Sequence, residues 1–181
     1  VRNIIAPRTR ADGVSYALLR NPNGLPVSYF VSHAWKEGFK RFCRDILNQQ
    51  LDGGIWICFL ANPQTWSPRS LKTLLGPNPY HSPFAIALVH ADHYIVYGNA
   101  QCNPFSRLWC VFEIYYAVRC QGMQPQRVGR LPAEDPGIIR PGIGSSAACS
   151  DLEDTLLLRG AMRGVEDVVD AAVLPVMQGW I

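Results

Sequence analysis

Apolar runs alternate with stretches of helical periodicity in the first half of the chain. Residues 27–32 are rich in β-branched and aromatic side chains, which predicts a first strand. Between residues 39 and 51, apolar positions recur at helical spacing opposite charged positions, which predicts an amphipathic helix. The continuous apolar run at 55–60 predicts a second strand covered on both faces, as parallel sheets require. The order strand, helix, strand indicates an α/β fold.

The pattern continues after a long segment rich in proline and glycine at 61–82, which we predict to be a loop with one short helical turn. Ser82 and Pro83 supply the N-cap and first-turn signals of a short helix. Residues 93–97 predict a third strand, and a central helix is expected over about 104–120. These elements extend the α/β pattern.

The remaining segment is less regular. Residues 127–131 offer a possible short strand. Ser150 and Glu153 form a capping-box pattern that predicts a helix over about 151–159. A last amphipathic helix is expected to stop before Pro175, because proline lacks the backbone donor that a helix interior uses.

Composition limits the number of domains. The chain has 181 residues, of which 48% are apolar and 17% charged, a balance that can bury one core. Residues 1–26 carry several prolines and glycines without a sustained period, so we predict an irregular lead-in there. Residues 27–181 are expected to form a single domain.

Charge and hydropathy argue against several functional classes. The formal net charge is +3 without a basic run, so nothing supports a nucleic-acid partner. The apolar runs are far shorter than the ~20 residues that a membrane-spanning helix needs. Six cysteines are scattered through predicted strands and helices, a distribution typical of reduced thiols. With no recognisable signal peptide, a cytoplasmic location is expected.

Glu113 is the one carboxylate in the central helix. The apolar positions of that helix follow i, i+3, i+4 and i+7 spacing from Leu108, and Glu113 falls outside this stripe. We therefore expect its carboxylate to emerge beside Trp109, in an open cleft at the carboxyl end of a strand. Open α/β sheets bind ligands at that edge.

The motif around Glu113 resembles that of the Toll/interleukin-1 receptor (TIR) domain family. Residues 106–114, Ser-Arg-Leu-Trp-Cys-Val-Phe-Glu-Ile, are similar to the plant-type motif Ser-x-x-Trp-Cys-x-x-Glu-Leu. Residues 29–35 contain Ser-His-x-Trp where the family has its first strand and following loop. The resemblance covers residues 27 to about 120 and implies a flavodoxin-like parallel sheet with helices on both faces. The family's Arg-Gly-x-Asp continuation is replaced by Ala-Trp-Lys-Glu at 34–37.

The resemblance implies an NAD+ glycohydrolase, or an ADP-ribosyl cyclase, in which Glu113 is the catalytic carboxylate. Breaking the nicotinamide–ribosyl bond passes through an oxocarbenium-like transition state, which one carboxylate can stabilise. The resemblance also suggests which residues contact the dinucleotide: Ser32, His33, Trp35, Arg107 and Trp109. NAD+ is the substrate, with no separate cofactor and no metal expected. TIR enzymes commonly complete the site by self-association, so a homo-oligomer is expected.

Each of these residues also has an ordinary structural interpretation. Glu113 could be a surface carboxylate on a helix flank, and Trp109 could be core packing. His33 could serve to satisfy nearby backbone groups. His90 and His93 straddle a predicted junction between helix and strand, which makes a shared metal site improbable.

Two other functional classes stay open at this point. A non-enzymatic TIR-like adaptor would act by assembling with other TIR domains through the 61–82 loop. A nucleotide sensor of similar fold would bind its ligand without turnover. Product analysis with NAD+ separates both from an enzyme.

Overall fold

The computed structural model describes residues 1, 3–35, 38–64, 68–101, 103–131 and 147–180, with only the backbone of 68–71. By its internal contacts the chain divides into two compact units, each built from two segments. The first unit consists of Val1–Val31 and Asp52–Asp92, and the second of Ser32–Leu51 and His93–Ile181. The assignment of 27–181 to one domain stays a prediction.

Four parallel strands form the sheet. They are β1 (Tyr29–Ser32), β2 (Ile55–Ile57), β3 (His93–Gly98) and β4 (Gln126–Gly129). The strand order is β2-β1-β3-β4, with Tyr29 opposite Ile55 and Ile95 opposite Gln126. Within the described residues, this is the order of the first four strands of the flavodoxin-like class. The predicted fold class is therefore confirmed.

Helices connect and follow these strands. In the described residues they are α1 (Ile5–Thr9), α2 (Tyr16–Arg20), α3 (Phe39–Leu47), α4 (Cys58–Ala61), α5 (Pro68–Leu75), α6 (Pro83–His90), α7 (Leu108–Tyr115), α8 (Leu152–Ala161) and α9 (Glu166–Gln178). Turns of 3-10 helix lie at Pro79–His81 and Pro104–Ser106, and a π-helical turn at Tyr116–Cys120 follows α7. None of these helices is long and apolar enough to cross a membrane.

The first unit is held together by aromatic packing on β2. The ring of Trp56 stacks on Phe30 with centroids 4.6 Å apart and meets Phe84 edge-on at 5.2 Å. Ser82 begins α6 as predicted, since its hydroxyl accepts a hydrogen bond from the amide of Ala85 at 3.3 Å. This cap fixes the start of the helix that carries Phe84.

The second unit buries α7 almost completely. Every residue of α7 is buried, and both α8 and α9 pack against this helix. The interior of β3, from Tyr94 to Tyr97, is likewise shielded from solvent. The candidate site therefore belongs to the interior of this unit.

Three predicted elements differ in the structure. Residues 1–26 contain α1 and α2, although we expected an irregular segment. The apolar run at 55–60 is a strand only to Ile57 and continues as α4, because a short run without periodicity fits either element. Residues 61–82, predicted as a loop with one short helical turn, contain the longer, two-turn helix α5.

Helix boundaries in the C-terminal segment also differ from expectation. The N-cap of α8 is Asp151 and not Ser150, since the Asp151 carboxylate accepts the amides of Glu153 at 2.8 Å and Asp154 at 3.3 Å. Helix α9 continues through Pro175. The short strand expected at 127–131 is confirmed as β4.

Candidate active site

Glu113 lies inside the second unit and not in an open cleft. Its side chain is 5% exposed. The prediction that the carboxylate emerges from the helix surface is therefore wrong. The reason is that α7 is covered on all sides, so a position outside the apolar stripe is still an interior position.

Ser32 is the direct partner of this carboxylate. Its hydroxyl donates a hydrogen bond to Oε2 of Glu113, although the two residues are 81 positions apart in the chain. Ser32 is the last residue of β1 and is itself buried. Two residues that the sequence analysis assigned to one site thus meet at the carboxyl end of a parallel strand, where α/β sheets place their ligands.

The surroundings leave Glu113 poised between its two protonation states. Burial raises its pKa from the ordinary value of 4.5 to about 7. The hydrogen bond from Ser32 opposes this shift most strongly, followed by the positive charge of Arg107 and by His33. A carboxyl group with a pKa near neutrality can hold or release a proton under ordinary conditions, which is a common property of functional carboxylates.

His33 lies beside this pair but points into the core. Its ring is 5.0 Å from that of Phe42, and its backbone carbonyl accepts a hydrogen bond from Sγ of Cys110 at 3.4 Å. The residue is almost fully buried. The structure places His33 close enough to Glu113 to lower the pKa of that carboxyl.

Tyr94 is a member of the cluster that sequence analysis missed. It is fully buried in β3, and burial together with the charge of Glu113 raises the pKa of its phenol well above the ordinary value. Its hydroxyl faces Ser32. The sequence does contain a signal for this residue, namely a tyrosine within a predicted buried strand. A buried phenol needs a polar neighbour, so its position indicates a polar group nearby.

The half-buried Arg107 and the exposed Trp35 form the outer part of the cluster. The guanidinium carbon of Arg107 lies 5.6 Å from the centroid of the Trp35 ring, a cation–π contact. The Trp35 side chain is 50% exposed. This pair combines an accessible aromatic face with a positive charge that also acts on Glu113. Of the neighbouring residues in that loop, Lys36 and Glu37 lie outside the described residues.

Trp109 is held in the core. Its indole Nε1 donates to Oδ2 of Asp154 at 2.9 Å, and its ring meets Phe112 edge-on at 6.2 Å. The side chain is buried. Among the five residues expected to contact the dinucleotide, Trp109 instead lies in the core and links α8 to α7. Trp35, by contrast, has an exposed ring.

In the part of the chain that the structure describes, no group of three histidine, cysteine, aspartate or glutamate side chains lies close enough together to hold a metal ion.

Comparisons of the chain with protein-family models, with curated proteins and with solved structures give no match. The fold and the site define a class by themselves: a flavodoxin-like α/β protein with a buried, ionisable carboxylate at the carboxyl end of a parallel strand.

Proposed function

We propose that this protein cleaves the nicotinamide–ribosyl bond of NAD+, with Glu113 as the catalytic carboxylate. The observation that carries the proposal is a buried carboxyl group, Glu113, whose pKa is about 7. This carboxyl accepts a hydrogen bond from Ser32 and lies within the electrostatic influence of Arg107. An ionisable group kept in the protein interior is costly to stability, and such groups concentrate at functional sites. The resemblance of residues 106–114 to the TIR motif points to the same residue.

The chemistry follows from the properties of a carboxylate in a dry environment. When the bond between C1′ of the ribose and the nicotinamide nitrogen breaks, its electron pair leaves with nicotinamide. The ribosyl group then carries positive charge, which ionised Glu113 stabilises strongly because little water screens it. Water completes hydrolysis by bonding to C1′ and losing a proton. An adenine nitrogen at the same position would instead give the cyclic product.

The half-buried Arg107 and the exposed Trp35 suit the rest of the dinucleotide. A guanidinium is well matched to a pyrophosphate, so Arg107 is the proposed phosphate contact. The exposed ring of Trp35 supplies a flat surface for a base. Ser32, which donates a hydrogen bond to Glu113, and the adjacent residue His33 are assigned to the ribose side of the site.

Access to the carboxylate is the step that needs a trigger. With Glu113 5% exposed, the ribose must reach a group that the unit covers. We assign this opening to self-association in a cytoplasmic setting, so that a neighbouring copy completes the site. Activity is therefore expected to rise more steeply than linearly with protein concentration.

The test is nicotinamide release from NAD+ at high protein concentration with a crowding agent. Wild type is compared with Glu113→Gln, which keeps the size of the side chain and removes its charge. Asp52→Asn, which removes a carboxylate charge at an exposed position outside α8, is the matched control. Activity is expected in wild type and Asp52→Asn, where it should increase as the pH rises through about 7, and it is expected to be lost in Glu113→Gln. Equal rates in wild type and Glu113→Gln refute the assignment.

The second candidate is a non-enzymatic TIR-like adaptor, which the burial of Glu113 favours. In that case the hydrogen bond from Ser32 serves to join α7 to β1. The adaptor assembles with itself or with related domains, and it leaves NAD+ intact at every concentration at which it assembles. Assembly without nicotinamide release therefore selects this candidate.

A further inference from the structure

Helix α8 presents two leucines to solvent, one turn apart. Leu152 is 72% exposed and Leu156 is 63% exposed. Residues at i and i+4 lie on the same helix face, so the two side chains form a continuous apolar ridge. Arg159 extends the same row at i+7 from Leu152, and Arg163 follows in the turn after the helix. The row is thus apolar toward its start and basic toward its end.

A groove lies beside the basic end of this row. It has a volume of about 410 Å³. Its apolar lining comes from both α8 and α9 and from the turn between them, and charged side chains line it as well. The residues that define it are Leu156, Met162, Val169, Arg159, Arg163 and Glu166. A partner that fills this groove needs apolar side chains flanked by negative charge.

The start of α8 has that composition. Leu152 is flanked by the carboxylates of Asp151 and Glu153, and all three residues are exposed. In an antiparallel arrangement of two α8 helices, the acidic start of one copy faces the basic end of the other. This contact between the acidic start and the basic end forms twice around a two-fold axis, and two-fold symmetry is the geometry of most homodimers.

We propose that α8 is a self-association surface, in which the leucine ridge of one copy enters the groove of a second copy in antiparallel orientation. The pairs Glu153 with Arg159 and Leu152 with the groove set the register. A helix of ten residues is about 15 Å long, so the contact falls among small interfaces, below about 1,200 Å². The dimer is therefore weak and forms only at high protein concentration.

The experiment measures the sedimentation coefficient from about 10 µM to about 500 µM protein without NAD+. Wild type is expected to shift from monomer to dimer across this range. Leu152→Ser should weaken the dimer at least about tenfold. Leu47→Ser, which changes an equally exposed leucine on α3, is the matched control and should leave the dimer unchanged.

A charge exchange tests the orientation. Glu153→Lys and Arg159→Glu each place like charges opposite one another in the homodimer, so each variant alone should stay monomeric. Mixed together, they should form a heterodimer, because both pairs are then of opposite sign. Far-UV circular dichroism confirms that each variant is folded before it is compared.

Three results overturn the proposal. The first is a wild type that stays monomeric over the whole range, which leaves the groove to a different partner. The second is equal weakening by the two serine substitutions. The third is a mixture that associates no better than its components. Since the readout is oligomeric state without substrate, none of these results decides whether Glu113 is catalytic.

Discussion

Replacing Glu113 by glutamine tests the protonation state on which the proposed site depends. Burial raises the pKa of this carboxyl from 4.5 to about 7, against the opposing influence of Ser32, Arg107 and His33. Glutamine fills the same space and still offers an oxygen to the Ser32 hydroxyl. The substitution therefore removes the ionisation while keeping most of the packing.

The sign and size of the effect follow from linkage between proton binding and folding. Below about pH 4.5, Glu113 is protonated in both the folded and the unfolded chain, so it adds no pH dependence. As the pH rises toward 7, the unfolded chain loses this proton while the folded chain keeps it, and the free energy of unfolding falls. One pKa unit corresponds to about 1.4 kcal/mol, so the shift costs the folded state about 3 kcal/mol once the carboxyl is ionised.

Urea unfolding of wild type and Glu113→Gln between about pH 5 and about pH 8 measures this difference. The variant should gain about 2 to 3 kcal/mol in unfolding free energy relative to wild type across that range. Glu153→Gln, at an exposed position, should follow wild type at every pH. Parallel curves for wild type and Glu113→Gln would refute the conclusion that the buried carboxyl titrates near neutrality.

Three further substitutions test single contacts. Ser32→Ala removes the hydroxyl that favours ionised Glu113, so the pKa of the carboxyl in the folded protein should rise. In the same urea series, the loss of unfolding free energy should therefore continue to a higher pH than in wild type. Trp109→Phe should lower the free energy of unfolding by about 1 to 2 kcal/mol, because Oδ2 of Asp154 loses its donor. Asp151→Ala should cost about 1 kcal/mol, with faster hydrogen exchange of the first amides of α8.

Each of these results has a specific contrary outcome. An unchanged pH midpoint in Ser32→Ala would show that its hydroxyl does not act on the carboxyl. Strict additivity of Trp109→Phe with Asp154→Ala would show that the two side chains do not interact. Unaltered amide exchange in Asp151→Ala would mean that α8 begins elsewhere.

Local patterns in the sequence were sufficient where the structure is decided locally. The N-cap at Ser82 and the helical spacing of residues 39–51 predicted α6 and α3, because capping and amphipathic periodicity act within one or two turns. Helix α3 nevertheless ends at Leu47, before the predicted boundary. The order of strands and helices along the chain predicted the parallel α/β class. Parallel strands require a crossover, and the predicted helix after the first strand supplied one.

Boundaries were missed where packing overrides local preference. Helix α9 passes through Pro175 although proline cannot donate the expected backbone hydrogen bond. Val176 and Met177, which follow it, are buried, and their burial favours continuing the helix. A pattern read along the chain cannot weigh this gain, since the surface that covers these residues comes from elsewhere in the fold.

The sequence by itself determined that Glu113 sits early in a central helix after the third strand, within a motif of recognisable spacing. Only the tertiary structure decided that this helix is covered all round, that Ser32 supplies the hydrogen bond and that Tyr94 lies beside them. The physical reason is distance along the chain. The protonation behaviour of a carboxyl depends on its solvent exposure and its charged neighbours, and for Glu113 those neighbours include residues 81 positions away.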